Sequence, residues 1–195
     1  MTYFREASSL LKGDGVRFIV IILLMIASQG VAQASWTAQR FDGQKKQIHD
    51  NTCGIASLVF ILEKYYKRGV SESELIGLAG IKPEYSFLDL ARLAKKHSIN
   101  TLGVKITSDQ LEKIHSPTIL YIKRFGQDHF VVFQGITNHL VQIYDPAWGY
   151  LNYTIQQFDH YWRAGDDAGR ALIFLDDIKV NINPDIIFQK RIPVE

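Results

Sequence analysis

Residues 117–155 read PTILYIKRFGQDHFVVFQGITNHLVQIYDPAWGYLNYTI, and the period of this stretch decides the fold. Four short apolar or alternating runs occur in it: Thr118–Lys123, His129–Ile136, Leu140–Asp145 and Tyr150–Ile155. β-Branched and aromatic residues dominate them, the composition that half-buried and core strands select. Between the runs stand Phe125-Gly126-Gln127-Asp128, Thr137-Asn138-His139 and Pro146-Ala147-Trp148-Gly149, which suit tight turns. The spacing predicts consecutive antiparallel strands. A helix around Gln156–Trp162, a loop rich in Gly and Asp, and a strand over Ala171–Leu175 follow.

Upstream the period is helical. Ile55, Leu58, Val59, Leu62 and Tyr66 recur at helical spacing, so a helix is predicted to start near Cys53, with Asn51 or Thr52 as its cap. Ser71 and Glu74 form a capping-box pattern that opens a second helix through Leu75, Leu78 and Ala79. Pro83 breaks the chain, and Ser86 with Asp89 opens a third helix containing Leu90, Ala91 and Ala94. A short strand near Thr101–Ile106 and a small helix over Ser108–Ile114 complete this half. Helices first and an antiparallel sheet second define an α+β domain, with the N-terminal helices packed on a C-terminal sheet.

The first segment reads differently. Arg5, Lys12 and Arg17 precede the apolar run Phe18–Ala27, and Ala32-Gln33-Ala34 ends the segment before Ser35. That is the order of a secretory signal, and the run is shorter than the roughly 20 residues a spanning helix needs. Residues 1–34 are therefore expected to be a signal peptide, with an uncleaved N-terminal anchor as the other reading. Residues 35–43 read as an exposed lead-in, 44–175 as the folded domain and 176–195 as a peripheral tail. Export places the domain outside the cytoplasm.

The composition narrows the function. The 195 residues carry a formal charge of +2, so the chain lacks the basic field of a nucleic-acid binder. There is one cysteine, which rules out an internal disulfide. A lone thiol in an oxidising compartment is exposed to oxidation. Cys53 either serves as a small buried hydrophobe or is kept to react.

Its position favours reaction. At a helix start, open backbone N–H groups and the positive end of the dipole stabilise a thiolate. Gly54 leaves room for substrate or a neighbouring backbone. Of six histidines, His129 is the best base, since it opens the strand His129-Phe130-Val131-Val132-Phe133 directly after a turn. His49 precedes the cysteine and could touch the site; His97, His115, His139 and His160 lie at helix ends, in loops or on a polar helix. Asp145 ends the next strand, across a hairpin from His129, where it could accept an imidazole N–H or simply initiate an Asp-Pro turn. Gln47, six residues before Cys53, could donate to an oxyanion together with the Cys53 N–H. No ligand pair has zinc spacing, and neither metal nor cofactor is expected.

Taken together, Gln47-x5-Cys53-Gly54-x-Ala56, His129-Phe130-Val131-Val132 and Asp145-Pro146-Ala147-x-Gly149 resemble the peptidase C39 family, papain-like cysteine peptidases that remove double-glycine leader peptides. The resemblance spans about residues 44–175. It implies Cys53 as nucleophile, His129 as general base and acid, Asp145 as its orienter and Gln47 in the oxyanion hole. Many members are cytoplasmic domains of ATP-driven exporters. This chain is more similar to stand-alone periplasmic forms of Gram-negative secretion operons, including those exporting functional amyloid.

The expected activity is thus a cysteine endopeptidase acting on a secreted peptide or protein, in support of secretion, with a secretion apparatus as a further partner. Membrane contact is expected only through the N-terminal segment. A non-catalytic C39-like peptide-binding domain and a papain-like amidase or acyltransferase are the alternatives.

Overall fold

The computed structural model describes residues 39–137 and 139–175. The signal segment, the start of the lead-in and the tail over 176–195 therefore lie outside the described residues. The described residues from Phe41 to Leu175 fall in one compact unit.

Three helices come first: α1 (Cys53–Lys64), α2 (Glu72–Ala79) and α3 (Phe87–Lys96). Strand β1 (Thr101–Ile106) and helix α4 (Ser108–Glu112) follow. Next come β2 (Thr118–Arg124), β3 (Gln127–Thr137), β4 (Leu140–Asp145) and β5 (Gly149–Thr154). Helix α5 (Ile155–Arg163) and strand β6 (Gly169–Phe174) close the domain. The six strands form one sheet in the order β1-β6-β2-β3-β4-β5, with every neighbour antiparallel. The α+β architecture is the one the periodicity predicts.

Strand alternation gives the sheet two apolar faces. Ile119, Phe130, Val132, Tyr144 and Leu172 join the core under α1 and α3. Leu120, Ile122, Val131, Val141 and Ile143 face the other way and are covered by Leu111 of α4 and Phe158 and Trp162 of α5. At 25–30 cal/mol per Å2, each fully buried side chain of this size is worth about 1.5–3 kcal/mol.

Three local expectations change. Residues Cys53–Leu62 of α1 are all buried, so the helix has no wet face over that length. Its sequence there is apolar or small almost throughout, as a helix enclosed between a sheet and two other helices requires. Ser71 accepts from the Glu74 N–H at 3.1 Å, but the reciprocal half of the box is absent. The box at Ser86 and Asp89 is complete. Phe41 is buried beside Tyr144, so the exposed lead-in expected over 35–43 does not extend to that ring.

The turn between β2 and β3 is only two residues long, Phe125 and Gly126, with φ of 52° and 78°. Two consecutive residues with positive φ match the right-handed twist of the flanking strands. The tight turn lengthens β3 backward to Gln127, which puts His129 inside the ladder, opposite Ile122.

Candidate active site

α1 delivers Cys53 to the sheet. Ser57, one turn further along, donates its hydroxyl to the Phe130 carbonyl at 3.4 Å. A Cβ placed on Gly54 would meet Phe130 Cδ2 at 3.1 Å and Leu90 Cδ1 at 3.4 Å. The glycine therefore lets side chains of β3 and α3 close on the helix, whereas the sequence suggested room for substrate or backbone. Both contacts seat the first turn of α1 on the start of β3, where His129 stands.

Neither expected cap is made. Thr52 is the N-cap residue, but its hydroxyl donates to the His49 carbonyl at 2.8 Å and accepts from the His49 N–H at 3.2 Å. Asn51 donates instead to the Lys82 carbonyl at 2.9 Å. No side chain caps the first turn of α1, which leaves its N–H groups to other acceptors.

The register explains how the His and the Asp meet. Val132 pairs with Tyr144, so Asp145 falls one step further along and diagonal to His129 on the same face. Diagonal neighbours are within reach of long side chains. The His129 Nε2–H donates to Asp145 Oδ1 at 2.9 Å. Cys53, at the start of α1, acts on the same imidazole. Burial by itself pushes the imidazole pKa down. Hydrogen bonds to Asp145 and Cys53, and their negative charges, outweigh that and raise it to about 9.

Asp145 is fully buried. Its Oδ1 also accepts from the N–H groups of Ala147 at 2.8 Å and Trp148 at 3.2 Å. The Asp-Pro turn and the histidine contact are thus served by one oxygen, and the two readings of Asp145 both hold geometrically.

Gln47 is bound to its surroundings twice. Its backbone N–H donates to the Pro146 carbonyl at 2.9 Å, and its side-chain Nε2 donates to the His49 carbonyl at 2.8 Å. Fixing Nε2 this way leaves its second N–H for another acceptor. The next residue, Ile48, is held by Glu72, whose two carboxylate oxygens lie 3.2 and 3.0 Å from its N–H. Glu72 was not singled out from the sequence, where it reads only as a first-turn acidic residue.

Arg124 was also missed. Its Nη2 lies 3.2 Å from Asp145 Oδ2, an ion pair without the alignment of a hydrogen bond. One signal existed: Arg124 is in phase with Leu120 and Ile122, both buried. A charge on the buried phase of a strand needs a partner. Of the other histidines, His160 packs on Tyr161, and His49 contributes through its backbone.

A cysteine at the start of a buried helix, facing a histidine of an antiparallel sheet, is the layout of papain-like cysteine peptidases. The comparisons narrow this class. The family model for the peptidase C39 family matches residues 44–165. A probable functional amyloid protease, FapD, of Pseudomonas aeruginosa is 33% identical over 151 residues, covering 69% of this chain and 67% of that protein. FapD of Pseudomonas fluorescens is 28% identical over the same length.

Among solved structures, a double glycine motif protease from an AMS/PCAT transporter, in complex with a leader peptide, superposes with a TM-score of 0.58. It is 27% identical and is matched over 66% of this chain and 87% of its own. The peptidase domain of Streptococcus ComA has a TM-score of 0.57 at 24% identity, over 67% and 95% of the two chains, which speaks to the fold alone. The chain belongs to the peptidase C39 family and is a cysteine peptidase with that family's papain-like fold.

Proposed function

We propose that this protein is an exported endopeptidase in which Cys53 is the nucleophile, His129 the general base and acid, and Asp145 the group that orients the imidazole. The observation that supports this reading is His129 itself, bonded to Asp145 through Nε2 and held in its charged form by Cys53 as well as Asp145. Imidazolium beside sulfur stabilises the thiolate. The thiolate attacks the scissile carbonyl carbon, and negative charge moves to the carbonyl oxygen. The free N–H of Gln47 Nε2 and the Cys53 backbone N–H receive it. As the C–N bond breaks, His129 gives its proton to the leaving amine. Water then attacks the thioester carbonyl, passing a proton to His129, and the C–S bond breaks to restore the thiol.

The substrate class follows from the relatives. The matched transporter protease is a double-glycine peptidase, and the Pseudomonas relatives are named for functional amyloid. For this chain we infer a secreted peptide or protein cut after a Gly-Gly-type leader, in support of a secretion apparatus. The signal-like order of residues 1–34 supports a periplasmic location, cleaved or anchored. Among the described residues no helix is long and apolar enough to cross a membrane.

The test is processing of a co-secreted substrate by Cys53→Ala and His129→Ala. Loss of cleavage by on the order of 10^3-fold or more in both is expected, because residues that act as a unit fail together. Unchanged processing in both variants would refute the assignment.

A further inference from the structure

We propose that Arg124 is a positioning residue of this site, holding one oxygen of Asp145 so that the other stays on His129. The inference rests on the roles of Cys53, His129 and Asp145 given above.

All three near donors on Asp145, from His129, Ala147 and Trp148, use Oδ1. Oδ2 is buried and has no aligned hydrogen bond. The guanidinium of Arg124, at 3.2 Å, is the charge that compensates it. Arg124 is itself held on several sides. Its Nη1–H donates to the Tyr153 hydroxyl at 2.7 Å. The rings of Phe125 and Trp148 lie 5.5 and 6.0 Å from Cζ. Its side chain is 12% exposed and that of Asp145 is 0% exposed, so the pair works at low dielectric, where a missing partner is felt strongly.

The tight turn explains the placement. Ile122 lies opposite His129, and Arg124, two residues on, shares its face. Asp145 reaches the same face from β4. Three strands thus bring a cation, an imidazole and a carboxylate together in the order Arg124, Asp145, His129. A planar guanidinium clamped by a phenol and two rings has little freedom to swing away, and a flexible ammonium would not reproduce that.

The charged and titratable groups around the carboxylate are Arg124 from β2, His129 from β3, Tyr144 from β4 and Tyr153 from β5, with Cys53 of α1 beyond the imidazole. Removing this cation leaves Oδ2 buried without its compensating charge, so the carboxylate is no longer held with Oδ1 on His129. The imidazolium that pairs with the thiolate then loses support on the acid side.

The experiment is the pH profile of Cys53 alkylation by iodoacetamide, which reads the thiolate without needing a peptide substrate. Wild type is expected to react at pH 6 faster than a free thiol. Arg124→Met should lower that rate about tenfold and move the acid limb up by about one pH unit, the equivalent of that factor. Arg124→Lys should recover part of the loss. Tyr153→Phe should give a smaller shift in the same direction, and it carries the test together with Arg124→Lys if Arg124→Met does not fold. Ile81→Ala, at a side chain 93% exposed between α2 and α3, is the control and should leave the limb in place.

Profiles for the Arg124 and Tyr153 variants that superimpose on wild type would overturn the proposal. So would an equal shift in Ile81→Ala, which would mark a general loosening of the fold. If wild type reacts no faster at pH 6 than a free thiol, the Cys53–His129 pairing fails and the role of Arg124 falls with it.

Discussion

The backbone N–H of Gln47 donates to the carbonyl of Pro146 at 2.9 Å, which ties the loop before Cys53 to the turn after Asp145. Two segments about a hundred residues apart in sequence are thereby joined at the backbone. Tyr144 strengthens the join, donating its hydroxyl to the Lys45 carbonyl at 2.8 Å. The Gln47 backbone makes this join, while its side-chain Nε2 donates one N–H to the His49 carbonyl and keeps the other.

Gln47→Ala should therefore lower kcat by about 10^2-fold, the usual cost of one oxyanion donor, with KM little changed. The thermal midpoint should hold, because the Pro146 bond is made by the backbone. Steady-state kinetics alongside thermal melting decides the point; unaltered kcat would remove Gln47 from the oxyanion hole.

Asp145→Asn keeps the shape of the side chain and removes its charge. The imidazole loses the partner that selects its tautomer, and a fall in kcat on the order of 10^2–10^4 is expected. Arg124 is left without its carboxylate, so stability should drop as well, by about 3 kcal/mol. Urea denaturation measures the second effect independently of the first.

The titration of His129 predicts how stability depends on pH. Its folded value of about 9 lies above the 6.5 of an unperturbed histidine, so folding takes up a proton between the two. The stabilisation is complete below about pH 6.5 and disappears as pH rises through about 9. The thermal midpoint should fall between pH 6.5 and 9.5, and His129→Ala should flatten that fall. Catalysis should decline over the same alkaline range as the imidazolium needed to protonate the leaving amine is lost. A midpoint that rises with pH in this window would contradict the assignment.

Gly169 tests the packing of the far face. A Cβ there would stand 2.1 Å from Trp162 Cε2, inside the ring's own volume. Trp162 has little room to retreat, because it is stacked on Phe158 and donates Nε1–H to the Arg170 carbonyl at 2.9 Å. Gly169→Ala should cost about 1–3 kcal/mol through overpacking, with kcat per folded molecule unchanged. Equilibrium unfolding at full retention of stability would show that the ring can move.

Strand alternation and helical spacing were readable because each is a local period. β4 spans Leu140–Asp145 as the alternation predicts, and β1 spans Thr101–Ile106. The start of β3 was harder to see. Phe125 takes a positive φ that a bulky residue rarely adopts, so the two-residue turn had no composition signal beyond Gly126. Helical spacing marks only one buried stripe on α1, yet Cys53–Leu62 is buried all round, because what encloses it comes from distant parts of the chain.

Residue types and their order were enough to single out Cys53, His129, Asp145 and Gln47 as candidates, since a thiol, an imidazole, a carboxylate and an amide each bring their chemistry wherever they stand. The partners of those groups were decided by folding alone. Which nitrogen of His129 meets Asp145, that Arg124 sits on the opposite oxygen, and that Glu72 holds the loop at Ile48 all depend on register and helix docking. Such contacts join residues far apart in the chain, and a linear pattern carries no distance between its parts.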